Sequence, residues 1–248
     1  MIVNAAAYHF VTVSDPATLA ARLKDGAESD QLRGTVLVAG EGINLFLAGS
    51  ERGVAGFFAR LRDDSRFADI RVKYSRSNRM PFGTLKVKVK PEIISFRRDH
   101  ADPRGQRAPM VDPPTLRRWL RQGHDDDGRR VVMLDTRNHQ EVEYGTFVGA
   151  LTLPISKFTD LPQALQPHRE QLRDATVVSF CTGGIRCEKA ALWMQADGMD
   201  NVLQLDGGIL GYFEQVGAEG YEGRCFVFDE RVALDPQLQP LVDTAAAD

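Results

Sequence analysis

The chain has 248 residues, 43% of them hydrophobic, and a formal net charge of -3 at pH 7. This length predicts two modest domains, and the small negative charge argues against nucleic-acid binding across the whole surface. No apolar run reaches the ~18 residues of a membrane span, and no signal-peptide pattern begins the chain. Its three cysteines do not form a disulfide framework. We therefore expect a protein without a membrane segment in the reducing cytoplasm.

Residues 1–98 carry the signals of a small α+β domain. The predicted elements are a strand at 8–13, a helix from Asp15-Pro16, a hairpin with strands at 35–39 and 45–48, a helix capped by Ser50, and a strand at 70–74. The order strand, helix, hairpin, helix, strand is typical of a ferredoxin-like (acylphosphatase-like) domain.

Positive charge is concentrated near the end of this domain, where residues 71–98 hold nine Lys and Arg residues and one acid. Three lysines alternate with apolar residues, so a strand would present all three ammonium groups on one face. Such a stripe can contact RNA phosphates, or it can be a solvated edge strand whose lysines prevent aggregation. The candidates for RNA binding are Lys86, Lys88, Lys90, Arg97 and Arg98.

A second domain is predicted after a linker. Residues 99–113 contain three prolines and no apolar periodicity, which indicates a connection rather than a packed element. We expect a domain at 114–221, starting with a helix at 115–121, and a C-terminal extension at 222–248. The apolar strand at 131–134 ends in Asp135-Thr136-Arg137, where Asp135 and Arg137 are expected to form a structural polar network. Glu141 is a natural partner for Arg186, because a buried guanidinium needs a carboxylate.

The most informative segment is Cys181-Thr182-Gly183-Gly184-Ile185-Arg186. It follows a predicted strand at 175–180 and precedes a predicted helix at 187–195. The backbone N–H groups of such a loop and the positive end of the helix dipole favour a thiolate. Arg186 adds a full positive charge, so we expect a thiol pKa below the usual ~8.5. Cys181 is the candidate nucleophile, and the short spacing to Arg186 suits a small group such as sulfur carried on sulfur.

The other two cysteines have different expectations. Cys187 opens the next helix and has three open roles: the principal thiol, a thiol that resolves a disulfide or persulfide on Cys181, or a helix-packing residue. Cys225 lies in an apolar run and is expected to be buried and inert. No group of His, Cys or carboxylate residues has the spacing of metal ligands, so neither a metal site nor a resident cofactor is predicted.

The strand at 202–205 leads into Asp206-Gly207-Gly208-Ile209 and a helix ending at Val216. Alternating strands and helices predict a parallel sheet covered on both faces, with ligands at the carboxyl ends of the strands. The cysteine loop, the segment at 135–137 and this turn resemble those of rhodanese domains. The resemblance implies an α/β fold with a rhodanese-type parallel sheet after the ferredoxin-like domain.

A narrower resemblance covers roughly residues 8–235. The chain resembles the bacterial oxygen-dependent tRNA uridine hydroxylases, which are rhodanese-domain proteins that form 5-hydroxyuridine at the tRNA wobble position. The matching segments are Cys181–Ala190, Glu41–Asn44, Leu85–Lys90, Leu134–Asn138 and Cys225–Arg231. The resemblance implies a tRNA anticodon loop as partner and dioxygen as co-substrate. Cys181, Cys187 and Arg186 are the candidate catalytic residues.

Two other functions remain open at this point. The chain could be a sulfurtransferase that carries a persulfide on Cys181, or a non-catalytic RNA-binding module. For the hydroxylase reaction that the resemblance implies, one route is addition of the Cys181 sulfur to C6 of uracil, which makes C5 carbanion-like and able to react with dioxygen.

Overall fold

A five-stranded sheet with two helices packed on it forms the N-terminal unit. The computed structural model describes residues 1–243, and this unit comprises Met1–Ile94, Phe228–Val232 and the described residues from Gln239 onward. Its elements are β1 (Ile2–Phe10), α1 (Pro16–Ser29), β2 (Arg33–Ala39), β3 (Gly42–Gly49), α2 (Glu51–Arg62), β4 (Val72–Ser77) and β5 (Leu85–Val89). The strand order is β4-β1-β3-β2-β5, and β5 runs parallel to β2.

Local sequence explains most of this unit. The Ser50 hydroxyl accepts a hydrogen bond from the Gly53 N–H at 3.0 Å, which confirms the predicted cap of α2. Pro16 occupies the first turn of α1, where its missing N–H is not needed. The two helices bury one apolar stripe each, including Leu19 and Phe58, against the sheet. The ferredoxin-like architecture is confirmed.

Several strand boundaries differ from the prediction, including those of β1 and β4. β1 begins at Ile2 rather than at residue 8, because its alanine-rich first half pairs with β3 on one side and β4 on the other. Alanine has a low strand propensity, so the local signal there is weak. β4 begins at Val72, whereas Ile70 lies in the preceding turn, where its N–H donates to the Phe67 carbonyl.

A parallel sheet organises the second unit, which comprises Ser95–Val227 and Ala233–Leu238. Its strands are β6 (Met110–Val111), β7 (Arg130–Asp135), β8 (Gly145–Phe147), β9 (Leu151–Thr152), β10 (Ala175–Phe180), β11 (Val202–Leu205), β12 (Tyr221–Gly223), β13 (Cys225–Phe226) and β14 (Ala233–Leu234). Its helices are α3 (Pro113–Gln122), α4 (His139–Val142), α5 (Leu161–Leu165), α6 (Arg169–Leu172), α7 (Ile185–Ala196) and α8 (Gly208–Val216).

The main sheet has the order β6-β11-β10-β7-β9, and each neighbouring pair is parallel. β8 pairs with β12, and β13 pairs with β14, in two small antiparallel ribbons. All six residues of β10 are buried, as expected for a central strand covered on both faces. Among the described residues, no helix combines the length and apolar character that crossing a bilayer requires. The predicted rhodanese-type sheet is confirmed.

The segment predicted as a featureless connection contributes to this sheet. Met110 and Val111 form β6, and the carbonyls of Pro109 and Val111 accept hydrogen bonds from the N–H groups of Gln204 and Asp206. A strand of two residues has no alternation to detect, so only its pairing with β11 defines it. The prolines that follow begin α3, whose N-terminus is capped by the Asp112 carboxylate.

Candidate active site

Cys181 lies directly after β10, at the carboxyl end of the central strand of the parallel sheet. The next three residues form a loop, and α7 begins at Ile185, two residues earlier than predicted. Gly184 has a φ of 104°, which a glycine adopts without strain. This conformation turns the Gly184 N–H toward the Cys181 Sγ, 3.2 Å away. The predicted inward-pointing amide is therefore present.

The environment of Cys181 favours the thiolate. The side chain is fully buried, and burial alone would raise its pKa. The hydrogen bond from the Cys187 thiol, the charge of Arg186, and the backbone N–H groups of Arg186 and Gly184 outweigh this burial and lower the pKa to about 5. Cys181 is therefore ionised at neutral pH, as the loop motif predicts.

Cys187 has the opposite protonation state. It lies in the first turn of α7 and is fully buried, and burial together with the neighbouring Cys181 raises its pKa well above the usual thiol value. Its Sγ lies 3.6 Å from the hydroxyl oxygen of Thr136, which itself donates to the Phe180 carbonyl at 2.9 Å. Of the two thiols, Cys181 thus carries the charge and Cys187 retains its proton.

Arg186 is held by a buried ion pair with Glu141. The two guanidinium nitrogens Nη1 and Nη2 lie 2.6 and 2.7 Å from the two carboxylate oxygens, and both side chains are buried. Burial would raise the pKa of Glu141, but the hydrogen bonds and charge of Arg186 lower it below its usual value. The Asn138 N–H also donates to this carboxylate, at 3.1 Å. The pairing expected from the sequence is the one that the structure contains.

Asp135 and Arg137 form a second buried ion pair at the end of β7. Arg137 Nε and Nη2 lie 2.9 and 2.6 Å from the two Asp135 carboxylate oxygens, and neither residue is exposed. Arg137 also donates to the Gly145 carbonyl, and the Thr146 hydroxyl donates to Asp135 at 2.8 Å. These bonds join β7 to β8 across the short helix that carries Glu141. The arrangement is that of a structural network, as predicted.

The start of α8 packs directly on the cysteine loop. The N–H groups of Ile209 and Leu210 donate to the carbonyls of Cys181 and Thr182, at 2.9 and 3.0 Å. Gly208 has a φ of 62°, and a Cβ at this position would lie 2.5 Å from the Cys181 carbonyl oxygen. Only glycine lets the turn approach so closely, which explains the Asp-Gly-Gly pattern beside this loop.

The loop has one open side. A Cβ added at Gly183 would meet no other atom of the described chain within 4 Å, and Thr182 and Gly183 are both partly exposed. The Cys181 side chain itself is fully buried.

The candidate RNA-binding residues divide between the two units. Lys86 and Lys88 are exposed on β5, an edge strand. Leu85 and Val87, which alternate with them, pack against the core of the first unit. Lys90 follows this strand and is also exposed, whereas Arg97 and Arg98 are exposed residues of the second unit.

Some residues around the site were not anticipated, or were assigned differently. Thr136 and Gly208 belong to segments singled out in the sequence, yet neither was assigned a contact with the cysteines or the loop. Away from the site, the run Asp125-Asp126-Asp127-Gly128 has the composition of a solvated turn, but Asp125 is buried and accepts hydrogen bonds from the N–H of Arg129 and the hydroxyl of Thr176. The described residues contain no group of three or more His, Cys, Asp or Glu side chains placed to hold a metal ion.

A thiolate held by backbone amides at the end of a central parallel strand, with a buried arginine five residues further on, defines a rhodanese-type domain. Residues 116–215 match the family model described as the rhodanese-like domain. Residues 2–93 match that of the UPF0176 acylphosphatase like domain. Both parts of the chain therefore have recognised families, in agreement with their folds.

Full-length relatives narrow the assignment. The tRNA uridine(34) hydroxylase of Xanthomonas euvesicatoria pv. vesicatoria (strain 85-10) is 71% identical over 243 residues, which cover 98% of this chain and 98% of that protein. The protein of the same name from Xylella fastidiosa (strain M23) is 65% identical over 243 residues, which cover 98% of this chain and 95% of that protein. The chain belongs to the tRNA uridine(34) hydroxylase family.

Proposed function

We propose that this protein hydroxylates uridine 34 of tRNA to 5-hydroxyuridine in the cytoplasm, with dioxygen as co-substrate and the anticodon loop as the bound element. Family membership supports the reaction, and the Cys181 thiolate is the structural observation that supports the chemistry. An unpaired wobble base can leave its stack and enter a protein site at modest energetic cost.

The thiolate is suited to open the reaction. Sγ of Cys181 attacks C6 of the uracil ring, the S–C6 bond forms, and the electron pair of the C5–C6 double bond moves to C5. The carbanion-like C5 then bonds to dioxygen, and protonation gives a C5 hydroperoxide. Arg186 lies close enough to the sulfur to stabilise its negative charge before the attack.

Cys187 is suited to reduce the hydroperoxide. Its sulfur attacks the outer oxygen of the hydroperoxide, the O–O bond breaks, and Cys187 becomes a sulfenic acid while C5 keeps a hydroxyl group. Loss of the C5 proton expels Cys181 and restores the double bond. Cys181 then attacks the sulfenic acid, releasing water and forming a disulfide. The sum is uridine, dioxygen and two thiols giving 5-hydroxyuridine, a disulfide and water, and an external dithiol regenerates both cysteines.

The protonation states of the two sulfurs fit this order of events. Only Cys181 is ionised before substrate binds, so it attacks first. Burial and the proximity of Cys181 keep Cys187 protonated. When Cys181 forms its bond to C6 its negative charge disappears, and one of the causes that raise the pKa of Cys187 is removed.

Nucleoside mass spectrometry of tRNA tests the proposal. A strain that lacks its own 5-hydroxyuridine-forming enzymes is supplied with the wild-type chain, Cys181→Ser, Cys187→Ser or Cys225→Ala. We expect 5-hydroxyuridine with the wild-type chain and with Cys225→Ala, and its loss with the other two. Cys225 is the matched control because it is an equally buried thiol with a raised pKa. Full modification by Cys181→Ser would contradict the proposal.

A persulfide on Cys181 is the alternative that the same thiolate allows. Incubation with thiosulfate would then add one sulfur atom to the intact mass, and cyanide would release it as thiocyanate. We expect neither product under conditions in which the chain hydroxylates tRNA. Transfer of sulfur at a rate that exceeds hydroxylation would favour the sulfurtransferase.

The exposed lysines of β5 are proposed to contact phosphates of the tRNA. Lys86 and Lys88 lie on this edge strand, where Leu85 and Val87 pack against the core, and Lys90 follows it. All three lysines are exposed. Changing Lys86, Lys88 and Lys90 to Gln should make the slope of log affinity against log salt concentration shallower by about 0.7 for each lost contact. Lys24→Gln, on the exposed side of α1, is the control. An unchanged slope in the triple variant would contradict the assignment.

A further inference from the structure

Two aromatic side chains stand beside the cysteine loop, and neither the loop chemistry nor the core explains their position. Tyr144 follows α4, and Phe226 is the second residue of β13. Their ring centroids are 5.3 Å apart, with an angle of 48° between the ring planes. Tyr144 remains 37% exposed, and Phe226 is partly exposed. The pair therefore presents part of its aromatic surface to solvent.

Hydrogen bonds connect both residues to groups that hold the loop. The Tyr144 N–H donates to the carbonyl of Glu141, the residue that pairs with Arg186, at 3.3 Å. The Thr182 hydroxyl lies 3.5 Å from the Phe226 carbonyl and 3.5 Å from the Glu141 carboxylate. Thr182 is the residue next to Cys181. The aromatic pair therefore lies on the rim of the site, one residue away from the nucleophile through Thr182.

The direction of the Phe226 side chain follows from the strand. Neighbouring residues of a strand point to opposite faces. Cys225 is completely buried. Phe226 consequently faces away from the core that receives Cys225, on the same side as the exposed ring of Tyr144.

The backbone beneath the pair is rigid. The Arg224 N–H donates to the Tyr144 carbonyl at 2.7 Å, which joins the segments that carry the two rings. Gly223 has a φ of 84°, and a Cβ there would lie 2.4 Å from the same carbonyl oxygen. The two segments thus approach so closely that only glycine fits between them. The position of the pair is set by backbone contacts, so the rings need not be buried to stay in place.

We propose that Tyr144 and Phe226 form the stacking surface that receives the target pyrimidine base beside the cysteine loop. This inference rests on the proposed function and specifies how its substrate is positioned. A base that leaves the anticodon stack loses its stacking partners, and an aromatic side chain restores them. Tyr144 and Phe226 are positioning residues in this proposal: they orient the ring so that C6 faces the loop, and they do not take part in the bond changes.

The test uses an anticodon stem-loop with a fluorescent pyrimidine analogue at position 34. Binding to the wild-type chain should change the fluorescence of the analogue, because stacking on an aromatic ring quenches it. Tyr144→Leu and Phe226→Leu keep apolar volume but remove the aromatic face, so we expect about 5- to 150-fold weaker binding and a smaller fluorescence change. Tyr144→Phe keeps the ring and should bind like the wild-type chain.

Controls separate stacking from folding and from catalysis. Tyr74→Leu removes another exposed tyrosine, on β4 at the edge of the first sheet opposite to β5, and should leave binding unchanged. The thiolate absorbance of Cys181 should titrate as in the wild-type chain in both leucine variants, since the loop is intact. Wild-type affinity and quenching in both leucine variants would overturn the stacking surface. Failure of the hydroxylase itself would show separately, as absence of 5-hydroxyuridine from cells that express the wild-type chain.

Discussion

Replacing Gly208 with alanine tests whether the turn before α8 sets the geometry of the cysteine loop. The added Cβ would lie 2.5 Å from the Cys181 carbonyl oxygen and 2.8 Å from the Gly184 nitrogen, whereas an ordinary contact begins at 3.4 Å. Both neighbours are backbone atoms, so the loop and the turn must separate by about 0.9 Å. This movement would stretch the hydrogen bonds from Ile209 and Leu210 to the loop.

The magnitude follows from two contributions. A non-glycine residue with positive φ costs about 1–2 kcal/mol, and overpacking against a rigid neighbour costs about 1–3 kcal/mol. Gly149→Ala isolates the first contribution, because Gly149 has a φ of 70° and a Cβ there meets no described atom within 4 Å. We therefore expect Gly208→Ala to be less stable than Gly149→Ala by about 1–3 kcal/mol, which lowers the melting temperature by roughly 2–12 °C more.

Thermal unfolding and thiolate absorbance measured across pH provide the two readouts. The displaced loop would move the Gly184 N–H away from the sulfur, so the pKa of Cys181 should rise in Gly208→Ala and stay low in Gly149→Ala. If both variants melt at the same temperature and keep the same thiol pKa, close packing of this turn does not control the loop.

Three further outcomes follow from the same site. Cys187→Ala removes a hydrogen bond to the thiolate, so the pKa of Cys181 should rise toward its usual value. Thiolate absorbance measured across pH, with Cys181→Ser as the blank, gives this pKa, and an unchanged titration midpoint would contradict the prediction. Glu141→Gln removes the carboxylate partner of the buried Arg186 charge and should lower the free energy of unfolding, measured by urea denaturation, by about 3–5 kcal/mol. Glu170→Gln is the control: it lies in an exposed ion pair and should not change this free energy measurably. Because folding lowers the pKa of Cys181, the stability contributed by its thiolate is fully present above the unfolded value and disappears as the pH falls through about 5. The stability difference between the wild-type chain and Cys181→Ser should shrink accordingly in denaturation curves recorded from pH 9 to pH 5, and a constant difference would refute the assignment.

Local patterns in the sequence were sufficient for the fold of each unit. The useful signals were local: the alternation of apolar and polar residues, helix caps such as Ser50, and the positions of prolines. Each involves residues that are close together in the chain. They predicted the order of elements in the first unit and the parallel sheet of the second. The pairing of Glu141 with Arg186 was also predictable, because a buried guanidinium needs a carboxylate and the loop motif places the arginine inside.

Features that depend on distant parts of the chain could not be predicted from these local patterns. The two-residue strand β6 exists only because β11 supplies its hydrogen-bond partners. The protonation states of Cys181 and Cys187 depend on burial and on how far each sulfur lies from Arg186, the loop amides and Thr136. The sequence by itself determined which residues are candidates for the chemistry, because residue type and local spacing are written in it. Only the tertiary structure decided which thiol is ionised and which rings pack against each other near the cysteine loop, because desolvation and contact distances arise when remote segments pack together.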